Sequence, residues 1–193
     1  MWGGPSWNKI VRFVHPGVKL IDFSPNERYL VTWSNEPINL HRMPEGSNHP
    51  FTEYDEGNHI LIWDIKTGAL LRSFPAVQAD GNKTVRWPMF KWSASDKYFA
   101  RVVPGQQLSI YEAPSMGLVG KKSIKIDGIV DFEWSPARAD KNDPKLSMKE
   151  DILAYWTPEV GNQPARVTMM NVPSKEIIRT KNLFNVTDVS FFY

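Results

Sequence analysis

Apolar positions along this chain come in short runs broken by turn-forming residues. In "VKLIDFSPNERYLVTWS" (18–34), Val18, Leu20, Ile21 and Phe23 precede Ser24-Pro25-Asn26-Glu27, and Tyr29, Leu30, Val31 and Trp33 follow. Runs of this length suit strands and are too short for helices. "HILIWDIKTGALLRSF" is again strand, Asp-Ile-Lys-Thr-Gly turn, strand, with period-two alternation in Ile60-Ile62 and Leu61-Trp63. "QLSIYEAPSMGLVGKKSIKI" and "ARVTMMNVPSKEIIRTKNL" repeat that shape with other turns.

The pattern recurs along the chain. Ile21-Asp22-Phe23, Phe90-Lys91-Trp92, Phe132-Glu133-Trp134 and Val189-Ser190-Phe191 each read apolar, any residue, aromatic. A serine follows the first three, at 24, 93 and 135, and its hydroxyl is placed to cap the turn backbone. After the turn come "RYLVTWS", "KYFARVV" and "DILAYWT", so each unit holds four short strands. Ser93 and Ser135 lie 42 residues apart, the length of a propeller blade of about 40–45 residues. Ser24 and Ser93 lie 69 apart. The excess of about 25 residues falls in 35–58, "NEPINLHRMPEGSNHPFTEYDEGN", whose Pro, Gly, Asn and His content suits a loop.

These residues resemble a WD-repeat β-propeller, with Trp63-Asp64 closing a third strand and "VHPGV" at His15 standing for the usual Gly-His. The expected fold is all-β: an incomplete arc of a WD40-like propeller, part of a single larger one. Blades are expected at about 18–75, 86–127 and 129–181, with an outer strand of a preceding blade at 7–14 and an inner strand of a following blade at 186–192. Phe23, Trp63, Asp64, Trp92, Trp134 and Phe191 mark the repeat, and Phe23, Trp92, Trp134 and Phe191 are expected to pack between blades. A closed propeller takes about four to eight blades, since closure hides the sheet edges.

A narrower resemblance rests on "WGGPSWNKIVRFVHPGVKLIDFSPNERYLVTWS", "GNHILIWDIKTGALLRSF", "WPMFKWSASDKYFARV" and "LAYWTPEVGNQPARVTMMNVPSKEIIRTKNLFNV". In that order they look like successive segments of the propeller of the b subunit of eukaryotic translation initiation factor three. The resemblance implies a nine-bladed cytoplasmic scaffold that contacts the small ribosomal subunit, its RNA and its proteins. It also implies the a, i and g subunits as partners, an RNA-recognition domain upstream, and a downstream segment that holds i and g. Translation initiation factor two A, a related propeller, is the nearest alternative; "WGGPSW" favours the first. A generic WD-repeat adaptor is the bland alternative. A propeller gating a prolyl-oligopeptidase-like hydrolase would need a further catalytic domain.

Composition narrows the chemistry. The 193 residues are 41% hydrophobic and include eight tryptophans, which is globular composition. There is no cysteine, which excludes disulfides, zinc fingers and thiol catalysis and fits a reducing compartment. The first residues lack a signal-peptide pattern, and no apolar run approaches the roughly 18 residues of a membrane span. The Asn82 and Asn185 sequons then read as chance. His41, His49 and His59 fall in or beside the insertion near Glu53, Asp55 and Glu56, without tight ligand spacing, so no metal is expected. "GLVGKKS" has two residues between its glycines where a phosphate loop needs four. No cofactor, small-molecule substrate or catalytic residue is expected.

Charge is uneven. Net charge is +2, yet 81–125 holds Lys83, Arg86, Lys91, Lys97, Arg101, Lys121, Lys122 and Lys125 against Asp96 and Glu112, a local +6. Lys97 follows the turn between strands one and two of this blade. Lys121 and Lys122 are expected at the tip of the hairpin joining strands three and four. The three would then gather on one face, opposite 35–58, for ribosomal RNA phosphates or an acidic partner.

Overall fold

The computed structural model describes residues 2–3, 8–9, 12–76, 87–136 and 151–191. Two compact units divide the chain, Met1–Val85 and Arg86–Tyr193. All of the extended ladders are antiparallel.

The first unit contains a two-residue ladder of β1 (Trp2–Gly3) with β2 (Asn8–Lys9). It also contains one four-stranded meander: β3 (Val18–Phe23), β4 (Tyr29–Ser34), β5 (Ile60–Asp64) and β6 (Leu70–Phe74), paired in that order. Each turn has its own chemistry. Between β3 and β4, the Ser24 hydroxyl accepts from the Arg28 and Tyr29 amides at 3.2 and 3.1 Å, while Glu27 adopts φ +56°. Between β5 and β6, the Asp64 carboxylate accepts from the Thr67 amide and hydroxyl at 2.7 and 2.8 Å. The Thr67 amide above all holds that carboxyl below the usual aspartate range.

The insertion joins β4 to β5 as an anchored loop with two 3-10 turns, Leu40–Arg42 and Glu53–Asp55. Ile38 donates to the Asn58 carbonyl, and Gly57 donates back to Ile38. Its Ile38 and Phe51 enter the core with Leu30, Leu61 and Trp63. Buried Asp55 closes a capping box with Thr52 and accepts from the Ser73 hydroxyl of β6 at 2.6 Å.

The second unit holds two meanders. In one, β7 (Lys91–Trp92), β8 (Tyr98–Val103) and β9 (Gln107–Glu112) pair in order. The fourth position is split into β10 (Gly117–Leu118) and β11 (Ile124–Lys125), both on β9. Gly120 and Lys121 take φ +66° and +62°, left-handed values that break the ladder between them. The other meander is β12 (Asp131–Trp134), β13 (Asp151–Thr157), β14 (Ala165–Val172) and β15 (Ile177–Leu183). One core cluster joins the two, from Tyr98, Leu108 and Ile110 to Phe132, Trp134, Leu153 and Met170.

Two expected strands differ. Within the expected outer strand 7–14, Asn8–Lys9 pairs with Trp2–Gly3 and residues 12–14 carry no strand, while 7, 10 and 11 lie outside the described residues. Residues 186–191 form no ladder among the described residues, and the Asp188 carboxylate accepts from the Val189 amide. Residue 192 lies outside the described residues.

Candidate interaction surface on the second blade

The blade-start turn is built twice from the same parts. Ser93 repeats Ser24: its amide donates to the Tyr98 carbonyl at 2.8 Å, its hydroxyl accepts from the Tyr98 amide at 3.2 Å, and Asp96 takes φ +58°. Ser135 donates its amide to Ile152 in the corresponding place. Lys97 leaves this turn exposed, and its carbonyl accepts from the Ala113 amide at 2.8 Å. The β7–β8 and β9–β10 turns therefore share one rim.

Lys121 and Lys122 do not lie at a hairpin tip. The β9–β10 hairpin closes at 113–116, where the Ser115 hydroxyl donates to the Glu112 carbonyl and accepts from the Gly117 amide. The two lysines sit further on, in the kink that splits the outer strand, where Ser123 and Ser109 hydroxyls meet at 2.7 Å. They lie one strand beyond β9 and further along it, roughly 15 Å from Lys97 on the backbone lattice. Lys97, Lys121, Lys122 and Lys125 are all exposed. The structure places the first near a rim and the others along an outer edge.

Two other basic residues of the blade are engaged. Lys91 Nζ reaches Asp131 Oδ1 at 3.2 Å, Glu133 Oε2 at 2.9 Å and the Phe132 carbonyl at 2.7 Å. The Arg101 guanidinium lies over the Phe90 ring at 5.7 Å. Lys83 and Arg86 fall outside the described residues. The exposed positive charge is thus smaller than the count along the sequence.

A residue that the sequence pattern does not single out fixes the kink. Lys175, in the turn before β15, donates from Nζ to the Val119 carbonyl at 2.6 Å and the Lys122 carbonyl at 3.1 Å. Burial pushes its ammonium below the usual lysine range. A Cβ on Gly120 would stand 3.3 Å from this Nζ. "VPSKE" carries only a turn signal, because the reach belongs to tertiary structure.

The repeat markers occupy unequal surroundings. Trp134 is 3% exposed, stacks on Tyr98 at 6.4 Å and donates from Nε1 to the Lys91 carbonyl at 2.8 Å, so it packs between the two blades of its unit. Trp92 is buried on Phe99 of its own blade, its register partner. Trp63 is buried against Phe13, and its Nε1 donates to Thr32 Oγ1, which also meets His15 Nδ1 at 2.7 Å. Burial first, then His59, lowers the His15 pKa to about 4. Phe191 is half-buried beside a cleft of about 320 Å³ lined by Lys91, Asp131, Glu133 and Trp156. Phe23 is 42% exposed; its counterpart Trp134 also lies on an edge strand of its sheet, but there Tyr98 of the neighbouring blade covers the ring.

Successive antiparallel meanders, the first two opened by the same serine-capped turn, define a WD40-like β-propeller protein. A solved structure described as "Crystal structure of the eukaryotic initiation factor" matches 97% of this chain and 40% of its own, with TM-score 0.67 and 22% sequence identity, which supports the fold. No family model matches. The chain is 53% identical over 200 residues to the B subunit of eukaryotic translation initiation factor 3 from Schizosaccharomyces pombe. It is 52% identical over 202 residues to the protein of that name from Aspergillus terreus. Both alignments cover 100% of this chain, and 27% and 26% of those proteins. The chain is therefore a homologue of the B subunit of initiation factor 3, and it spans about a quarter of the length of these relatives.

Proposed function

We propose that this chain is a propeller portion of a non-catalytic, cytoplasmic scaffold protein in a translation initiation factor complex. It joins other factor subunits, with a, i and g as the expected ones, to the small ribosomal subunit. The observation that carries the reading is identity above half, over the whole chain, to relatives named as the B subunit of initiation factor 3. The exposed lysines of the second blade supply a physical means. Cations that meet phosphates release condensed counterions, a sequence-independent attraction. Among the described residues no helix is long and apolar enough to cross a membrane.

Co-sedimentation of the full-length protein with purified small ribosomal subunits tests this. Substituting Lys97, Lys121 and Lys122 by Glu is expected to shift protein from the ribosomal to the free fraction. Sedimentation unchanged by the triple substitution would remove these lysines from the interface. Failure of the unsubstituted protein to co-sediment would remove the ribosomal role. Hydrolytic turnover abolished by one point substitution would contradict a scaffold without catalysis.

A further inference from the structure

Outer strands are where a propeller blade leaves backbone groups unpaired, and unpaired edges accept foreign strands unless they are blunted. The three outer strands here differ. Beside β6, Ser73 is bound by Asp55 and Asn58 of the insertion. The second blade's outer strand is broken by the left-handed Gly120–Lys121 kink into two-residue pieces. β15 runs seven residues, and among the described residues it pairs only with β14. Its first six residues are exposed, with Ile177 at 59% and Ile178 at 48%. Phe184, just beyond it, is 71% exposed.

Charge selects what could sit there. Arg179 and Lys181, two apart, share one face of the sheet, opposite Met169 and Val167. Glu176 is the acidic residue closest in sequence, in the preceding turn. Lys121 and Lys122 belong to the kink that Lys175 ties to that turn. A second copy paired edge to edge would set Arg179 and Lys181 beside their own like, which is unfavourable. An acidic strand finds the opposite: carboxylates meet the central cations, and apolar residues at its ends meet Ile177, Ile178 and Phe184.

We infer that β15 is a strand-accepting edge for an extended, acidic segment of a partner protein, flanked by apolar residues, joining the third blade by β-augmentation. This deepens the scaffold reading and rests on it, but it concerns a different element from Lys97, Lys121 and Lys122.

A synthetic decapeptide of alternating Glu and Val, and its Lys-Val counterpart, test the inference on the full-length protein, read by amide hydrogen exchange and titration. The Glu-Val peptide is expected to protect amides within 177–183. In Arg179→Glu/Lys181→Glu, whose side chains are exposed, affinity is expected to fall at least about tenfold, with melting temperature unchanged. The Lys-Val peptide is expected not to bind. Absence of protection at 177–183, equal binding of both peptides, or affinity unmoved by the double substitution would overturn the inference. So would displacement of the peptide by decauridylate with the same protection retained, since that would make the edge an RNA site. Ribosomal co-sedimentation of the same double variant separates the two readings: it is expected to persist.

Discussion

Trp134 is the side chain on which two blades most visibly depend. It is 3% exposed, stacks on Tyr98 and donates to Lys91 of the neighbouring blade. Trp134→Ala is therefore expected to cost about 3–5 kcal/mol, the range for deleting a buried large aromatic, and denaturant unfolding measures it. The equivalent Phe23→Ala should cost far less in this chain, because that ring is 42% exposed. His15 supplies a pH dependence. Its pKa is about 4 in the fold against an ordinary 6.5. Between those values the unfolded state binds more protons, so stability falls as pH drops from 6.5 toward 4. The full loss is up to about 3 kcal/mol, present at low pH and absent above neutrality. Melting temperatures across pH 4–7.5 should show this slope, and His15→Gln should flatten it. The serines, Trp63 and Trp134 were legible at this scale because local turn and strand chemistry places them. Thr32 and Lys175 were not, since their partners lie 31 and 56 residues away.

Among elements, the meander order and the position of the insertion followed from period-two runs and turn residues. Register at outer edges did not. "GLVGKKSIKI" has strand-like apolar spacing, yet two adjacent left-handed residues divide it. That moves Lys121 and Lys122 from the expected hairpin tip to the outer edge. Backbone conformation at Gly120 and Lys121 distinguishes the two arrangements. Gly120→Val is expected to destabilise by about 1–2 kcal/mol, from a positive φ that branched residues resist, together with the crowding against Lys175 Nζ. Gly120→Ala should cost less, and paired melting curves rank the two. The insertion has the composition of a plain loop, but Ile38 and Phe51 tie it into the core and Asp55 ties it to β6. Asp55→Ala should cost about 1–2 kcal/mol as a lost cap together with the lost bond to half-buried Ser73. Faster amide exchange confined to 52–58 and Ser73 would locate that loss.

For the whole molecule, the propeller reading joins a repeat visible in the sequence to sheets of one strand order, two of which open on the same turn. Partner surfaces were less legible. Charge counted along the chain included Lys91, which the fold engages with Asp131 and Glu133. The exposed remainder is what the proposed ribosomal contact would use. The salt dependence of binding tests this most directly, because counterion release scales with the number of phosphates neutralised. The full-length protein and its Lys97→Glu/Lys121→Glu/Lys122→Glu variant would be titrated with small ribosomal subunits at several salt concentrations. The variant is expected to bind more weakly, with a log–log slope shallower by about 2–3, close to one for each lysine–phosphate pair removed. Identical slopes and affinities for the two proteins would contradict a ribosome-binding role for this blade's lysines.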